Sequence, residues 1–411
     1  MSNVIELGCF DPTVSDAQCK AYVTELEATA RVAYADINPG LDKVALKRYA
    51  PEQQAMSVAQ VQRALKSIGF FPGGKEDGIC GYRTQSAIRL FQEYVSAVEG
   101  KKDCTPDAQF GPTSQACLRE WLNSGRRPHW TPTVDQWRAG TLGTGEYAHW
   151  LAFLERVKQH YLETPNRMLQ KVNAFSGRTD TQKVAQWDFT PGNMHLIGIR
   201  RHQLAQRSDD VLLLLIKGLV FKFQGSTEPG SSEKNPKTNL PLDPPFLVQG
   251  QHHYHFGWHK KTYLALRPVS LGVGSGVLVV RSKDLTLDEA DLDRDLQTND
   301  TINIHWGGRG LNAVGGWSHG CQVISGSVYI DDRDQFRDCS AYAASLPDEP
   351  TRVVGKTRGA YNVLLDLVTA LGSDLGTTVK YMLLDESDLD LDPELARTLD
   401  HARQRLCKFV A

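Results

Sequence analysis

The sequence predicts an α+β fold, and three observations carry that prediction. Between residues 56 and 123 apolar positions recur at helical spacing, with glycine turns between the runs. From about 190 onward, short runs rich in Val, Ile, Leu and aromatics follow one another, as strands do. A capped helical segment then closes the chain. At 411 residues the chain exceeds one ordinary core, so two or three domains are expected. The expected division is 1–50 (N-terminal helical segment), 51–124 (helical module), 125–185 (linker and helix), 186–390 (mostly-β domain) and 391–411 (C-terminal helix).

The elements follow in order. Tyr22, Val23, Leu26, Ala30 and Ala33 lie at helical spacing over 15–35, and "NPG" at 38–40 ends that helix. "GRRPHWTPT" (125–133) has the composition of a linker. A helix over 145–162 presents Trp150, Leu154, Val157 and Tyr161 on one face, and Thr164-Pro165 closes it. "HLIGIR", "VLLLLIKGLVFKF", "YHFGW", "TYLALRP", "GVLVVR" and "INIHW" read as strands. The polar stretch 225–245 is long enough to suggest a lid. A helix (360–371), a strand (378–384) and a last helix follow, the last with Asp392 as cap and Pro393 in its first position.

Composition narrows the function classes. Hydrophobic content of 41% and charged content of 23% are those of a soluble globular protein. A formal net charge of −2 without a long like-charge run argues against nucleic acid as a partner. The most apolar run, "VLLLLI" (211–216), is far short of the roughly twenty residues of a membrane span. The first twenty residues lack the basic head and apolar segment of a cleavable signal peptide. Of the eight cysteines, Cys9, Cys19, Cys80, Cys104 and Cys117 fall early, and Cys321, Cys339 and Cys407 late. No CxxC pair is present, against a zinc ribbon. One or two disulfides among the early five, and buried free thiols, are both compatible with the spacing.

Residues 58–92 contain a helix face of Val58, Val61, Leu65 and Ile68, ended by Gly69. "DGICGYRT" is a tight turn in which Thr84 is placed to cap the next helix, whose buried face is Ala87, Ile88 and Phe91. The turn recurs in "DAQFGPTSQACLREWL" (107–122): Gly81 to Phe91 and Gly111 to Trp121 are both ten residues. One supersecondary unit is therefore used twice. On "DGICGYRTQSAIRLFQ" the segment resembles the peptidoglycan-binding domain type 1 family, over about 70 residues, with a longer insertion, "EYVSAVEGKKDCTP", between the halves. The resemblance implies a three-helix module with affinity for wall stem peptides or glycan.

The second motif is "GGWSHGCQVISG" (315–326). A thiol needs a nearby histidine or a polarising backbone to become a nucleophile. His305, in "NIHWGG", is expected at the exposed end of a strand, and the two segments can meet if their strands are neighbours. Glycines at 307, 308, 310, 315, 316 and 320 permit sharp turns and close approach of amide N–H groups to a substrate carbonyl. His305, sixteen positions before Cys321 within Ser318-His319-Gly320-Cys321, resembles the YkuD-type L,D-transpeptidase catalytic domain, loosely over 190–390 and well over 303–324. "GQHHYHFGWHKKTYLALRP" (250–268) resembles the family's substrate-facing β region.

The resemblance makes Cys321 the nucleophile, His305 the general base, and Ser318, His319 and Gly320 the supporting turn, with His319 a second candidate base. It implies a thioacyl-enzyme formed on a peptidoglycan stem peptide and passed to an amine or to water, with no cofactor and no metal. Trp306, His253 and His255 are candidate substrate contacts. The family commonly continues after the cysteine with an apolar residue and then Arg, His or Asn; here Gln322 and Val323 stand there. Gln322 is therefore a candidate substrate contact, with Arg309 or Arg267 as replacement for the missing charge.

Three rivals remain. His252, His253, His255 and His259, with His195, raise a zinc peptidase, although no HExxH or HxxxD accompanies them. A papain-like or NlpC-like enzyme is disfavoured because those place cysteine before histidine. A non-catalytic wall binder would explain Gln322. A wall-directed chain starting like this one implies delivery by another route: an antibacterial effector injected by a type VI-like secretion apparatus and matched by an immunity protein, a phage-type lysin, or a start site that hides a leader.

Overall fold

In a computed structural model, residues 4–30, 46–52, 54–142, 145–201, 207–234, 237, 239, 242–310, 314–372 and 377–407 are described. The "NPG" stretch, residues 31–35 and part of the 225–245 loop lie outside them. The helices are α1 (Asp16–Ala30), α2 (Val58–Ser67), α3 (Tyr82–Glu93), α4 (Pro112–Ser124), α5 (Thr131–Arg138), α6 (Glu146–Glu163), α7 (Arg167–Ala174), α8 (Glu349–Arg352), α9 (Ala360–Leu371) and α10 (Pro393–Cys407). The strands are β1 (Cys9–Phe10), β2 (Lys47–Arg48), β3 (Met194–Arg200), β4 (Asp210–Ile216), β5 (Leu219–Ser226), β6 (Pro245–Leu247) and β7 (Gly250–His259). They continue with β8 (Tyr263–Pro268), β9 (Val277–Arg281), β10 (Gln297–Asn299), β11 (Ile304–Trp306), β12 (Gln322–Ile330), β13 (Phe336–Asp338) and β14 (Val379–Asp385). The fold is α+β, as the sequence predicts.

Two compact units divide the chain. The first comprises 1–132, 256–264 and 341–377; the second comprises 133–255, 265–340 and 378–411. α9, read from the sequence as part of a 186–390 domain, thus groups with the N-terminal unit.

In the first unit all the early donors of α2 find acceptors. Val58 and Ala59 N–H donate to the Asp11 carboxylate (2.8 and 2.9 Å), Gln60 N–H to Ser57 Oγ (3.2 Å), and Val61 N–H to Ser57 O (3.0 Å). Its C-terminus closes at Gly69, φ +96°, with Phe70 N–H donating to Leu65 O (2.9 Å) and Gly69 N–H to Lys66 O (3.2 Å). Two buried glutamines then hold the repeat. Gln62 donates to Asp77 Oδ1, Ile79 O and Thr84 Oγ1 (2.9, 3.0 and 2.9 Å) and accepts from Gly78 N–H (2.9 Å). Thirty positions on, Gln92 donates to Asp107 Oδ1, Gln109 O and Ser114 Oγ (3.3, 2.9 and 2.9 Å) and accepts from Ala108 N–H (2.9 Å). Thr84 therefore serves this cradle; Gly81 is the N-cap of α3 and makes no side-chain cap. Gly81 must lack a Cβ because one would meet the Tyr22 ring at 2.6 Å.

The N-terminal segment, whose role the sequence leaves open, runs along both turns. Ile5 bridges Phe110 and Phe10 bridges Ile79, each antiparallel. The 125–133 segment is more ordered than a linker: Trp130 is buried, with ring centroids 5.1 Å from Tyr94 and 5.6 Å from Phe70, and α5 starts at Thr131. The composition that suggested a linker marks the division of the two units after Pro132, and the segment also supplies a lid on this aromatic cluster. α9 is apolar nearly all round, as a buried helix must be, and Asp366 on it receives both ends of the Arg89 guanidinium from α3 at 2.6 Å.

In the second unit β10, β9 and β6 form a three-stranded sheet, and a nine-stranded sheet runs in the order β11-β8-β7-β14-β3-β4-β5-β12-β13, in which β11 also pairs with β12. That pairing closes eight strands into a barrel, with β13 outside it. The apparent single run "VLLLLIKGLVFKF" is a hairpin: Lys217 (φ +49°) and Gly218 (φ +87°) form its two-residue turn. Outside the barrel, Trp150, Leu154 and Val157 of α6 and Leu395, Leu399 and Leu406 of α10 pack on Ile197, Leu213 and Met382. Asp392 caps α10 by accepting from Leu395 N–H (3.1 Å), as expected from the sequence. Among the described residues no helix is long and apolar enough to cross a membrane.

Candidate functional site

The closing pair of the barrel builds the cysteine site. β11 and β12 are parallel, with Ile304 opposite Gln322, His305 opposite Val323, and Trp306 opposite Ile324. Alternation along a strand then sets the faces. Cys321, Val323, Asn303 and His305 share one face; Gln322, Ile304 and Trp306 share the other. The inner face is identified by Gln322, whose Oε1 accepts from Tyr381 OH (3.0 Å) on β14, four strands away around the barrel. Cys321 and His305 therefore face out of the barrel.

Asn303, level with Cys321, donates its backbone N–H to Cys321 Sγ (3.3 Å), and the thiol donates to Thr301 O (3.4 Å). The amide contact favours the thiolate and the carbonyl contact favours the thiol. His305 is buried, whereas an exposed strand end was expected; β8 on one side and β12 on the other enclose it. Its Nδ1 lies 2.8 Å from Trp306 O. A carbonyl only accepts, so Nδ1 carries the proton in that pair and Nε2 presents a lone pair.

The turn before Cys321 is tightly held. Ser318 Oγ donates to Cys321 O (2.7 Å) and accepts from Gly320 N–H (3.1 Å). Gly320 has φ +135°, and a Cβ there would meet Pro245 O at 2.6 Å, so only glycine fits. The Gly307 and Gly320 amides, proposed donors to a substrate carbonyl, are spent on Ile324 O and Ser318 Oγ. His319 Nδ1 sits 3.1 Å from Ser231 O and 3.2 Å from Ser231 Oγ. Gly230 and Ser231 N–H groups both reach Ser318 O (3.0 and 3.2 Å). The described start of the 225–245 loop thus clasps the cysteine turn, and Ser226 to Glu228 are buried.

Other expected contacts are placed elsewhere. Gln322 is buried and committed to Tyr381 and to Gly320 O (3.4 Å), so it offers nothing to a substrate. Trp306 is buried on the face opposite His305, with its ring 5.1 Å from Trp317. Arg309 is half-buried, and its carbonyl accepts from Ser325 Oγ (3.0 Å). His253 is half-buried opposite Lys380 in β14, and burial, with the Lys380 charge, lowers its pKa. His255 is buried on the same face of β7 as His253. His252 faces inward between Thr181 Oγ1 (2.9 Å) and Val248 O (3.0 Å), and burial pushes its pKa down to about 3. His195 is buried against Thr190 O (3.0 Å). The zinc reading therefore lacks its donor set: among the described residues no three His, Cys, Asp or Glu side chains are gathered for a metal.

Register singles out one cation. Leu266 of β8 is opposite Ile304, which puts Arg267 opposite Asn303 on the outward face. Cys321, Asn303 and Arg267 thus form one row across β12, β11 and β8. Asn303 was missed in the sequence because its contribution is a backbone amide, which leaves no side-chain signature.

In the first unit a cavity of about 60 Å³ opens beside the first turn of the repeat, lined by Tyr22, Leu26, Gln62, Phe71, Tyr82 and Thr84. Lys75 and Glu25, also lining it, pair at 3.4 Å.

Residues 54–95 match the family described as "Putative peptidoglycan binding domain". The matched residues contain α2, the Gln62 cradle and α3, and the second half of the repeat lies beyond them. The chain thus carries a peptidoglycan-binding module, with peptidoglycan as partner and the cell wall as place of association. No curated protein and no solved structure matches the chain.

Proposed function

We propose that the chain is a peptidoglycan-modifying cysteine enzyme of the YkuD-type L,D-transpeptidase kind, brought to its substrate by the module around residues 54–95. The observation that carries the reading is the parallel β11–β12 register, which sets His305 and Cys321 on one outward face with Asn303 N–H on the sulfur. In this reading His305 Nε2 takes the Cys321 proton. The thiolate attacks a stem-peptide carbonyl, and the C–N bond breaks as His305 returns the proton to the leaving amine. The thioester is then opened by an acceptor amine or by water, which restores the thiol and gives transpeptidation, D-amino-acid exchange or carboxypeptidation. Arg267, in the same row, takes the role of the charge absent after Cys321 and receives the stem carboxylate. Ser318 and Gly320 hold the turn, and His319 braces it through Ser231.

The test is mass spectrometry of muropeptides incubated with the wild-type chain and with Cys321→Ala. Tripeptides from tetrapeptides, altered crosslinks or exchanged stems are expected with the wild type only, with a loss of at least about 10³-fold in turnover for the variant. Unchanged muropeptides with wild type, together with retained sacculus binding, would sink the catalytic reading. They would leave the second one, a non-catalytic wall binder, which is favoured by the thiol's contact with Thr301 O. Periplasmic expression extends the test: growth arrest that requires Cys321 places the chain among antibacterial effectors that need an immunity protein.

A further inference from the structure

The insertion between the two halves of the repeat carries a cysteine that the cysteine reading of the barrel does not use. Cys104 sits in the stretch after α3, and Cys117 lies in α4, 13 positions on. Both are buried thiols in this structure, and each thiol has the other as a neighbour. The surrounding bonds fix the insertion on α4. Glu99 accepts from Trp121 Nε1 (3.1 Å) and pairs with Arg126 (3.1 Å), and Lys101 pairs with Glu120. Cys104 N–H donates to Lys101 O (3.1 Å), and Ser114, next to the Cys104 thiol, belongs to the Gln92 cradle.

We propose that Cys104 and Cys117 form a disulfide in the oxidising surroundings of the wall, stapling the insertion to α4. The two thiols are neighbours on segments already tied together by the Lys101–Glu120 pair, so the bond can close with modest backbone movement. The oxidant is a disulfide donor, either a protein dithiol–disulfide oxidase or glutathione disulfide. One Cys thiolate attacks the donor, forming a mixed disulfide and releasing one donor thiol. The second thiolate then displaces the other donor thiol, so two thiols of this chain are oxidised and one donor disulfide is reduced.

Timing follows from burial. Desolvation and the neighbouring sulfur push the Cys104 thiol up to about 12, and burial raises Cys117 as well. Folded and reduced, the pair reacts slowly, since the thiolate is the reactive form. The bond therefore forms as the chain folds in an oxidising compartment, and is then shielded from small reductants.

The test uses the full chain, unfolded and reduced, then refolded in a reduced/oxidised glutathione mixture, alkylated and mapped by non-reducing peptide mass spectrometry. The expected product is one linked pair carrying Cys104 and Cys117, with Cys321 alkylated. Chain folded in reductant and then given the same mixture should acquire the link at least roughly tenfold more slowly. Trypsin cleavage after Lys101 or Lys102 should slow roughly tenfold in the oxidised chain, and dithiothreitol with denaturant should reverse this. Eight alkylated thiols after oxidative refolding, or a link between another pair such as Cys9 and Cys80, overturns the proposal. Neither outcome depends on turnover at Cys321.

Discussion

Gln62 and Gln92 in the wall-binding module and Gln322 beside the cysteine are the same side chain, buried in each case, yet they are fixed by different distances along the chain. The module glutamines find all their partners 15 to 22 residues downstream, in a turn and the helix that follows it. Gln322 finds Tyr381, 59 residues away and across a closed barrel. The first arrangement is a repeating local unit. The second exists only because eight strands close on themselves. The lesson is that a polar residue out of pattern carries opposite meanings in the two regions: in the module it marks the repeat, and in the barrel it marks the interior.

The strongest way to break this comparison is Gln322→Arg. It sets a charge inside the barrel opposite Tyr381, and about 3–5 kcal/mol of destabilisation is expected in urea unfolding. An unchanged midpoint would mean that position 322 faces solvent. Next in size are Gln62→Ala and Gln92→Ala, each of which leaves a buried backbone N–H without its acceptor and an Asp with one donor fewer; both should cost about 2–3 kcal/mol by the same measurement, because the two cradles match. A strongly unequal pair would break the equivalence of the halves. Arg267→Ala should raise KM for stem peptides about tenfold with little change in kcat, if its place in the Cys321 row is a substrate contact. Equal kinetics would return the carboxylate role to Arg309.

A further effect is a pH slope in the barrel. Asp210, on β4, accepts from Thr227 N–H (2.7 Å) and Thr227 Oγ1 (2.8 Å), and burial pushes its pKa up to about 7. In the unfolded chain an Asp loses its proton near pH 4. Between those values the folded chain holds a proton that the unfolded chain has lost. Asp210 therefore contributes stability that is present at about pH 4 and is lost as pH rises toward 7. Asp210→Asn, neutral throughout, should flatten the stability profile over that window; an unaltered slope would mean that the carboxylate is ionised in the fold.

Much of the candidate site's arrangement was legible, and unevenly so. Cys321, His305 and Ser318 stand out because their chemistry and spacing are unusual for a turn. The exposure of His305 was misread because three residues at a strand end look like an edge, whereas β11 has neighbours on both sides. Thr84 looked like a cap because it opens a helix, and only the Gln62 side chain, arriving from 22 positions earlier, shows what it does. The linker reading of 125–133 was incomplete for a related reason, although the two units do divide between Pro132 and Thr133. Gly, Pro and Arg set the local texture, but Trp130 is held by rings from Phe70 and Tyr94.

What was written in the chain order alone is the set of short-range devices: the period of the repeat, the glycine stops, the Asp392-Pro393 start of the last helix, the strand-rich texture after 190, and the Ser-His-Gly-Cys turn. Each depends on φ/ψ preference, capping or alternation within a few residues, so neighbouring letters suffice. The tertiary structure decided which strands meet, and with that every face. The parallel β11–β12 register turns Cys321 and His305 outward and Gln322 inward, and the antiparallel β8–β11 register places Arg267 in their row. Those outcomes rest on pairing and burial between segments tens of residues apart, where a shift of one residue would exchange the two faces of a strand.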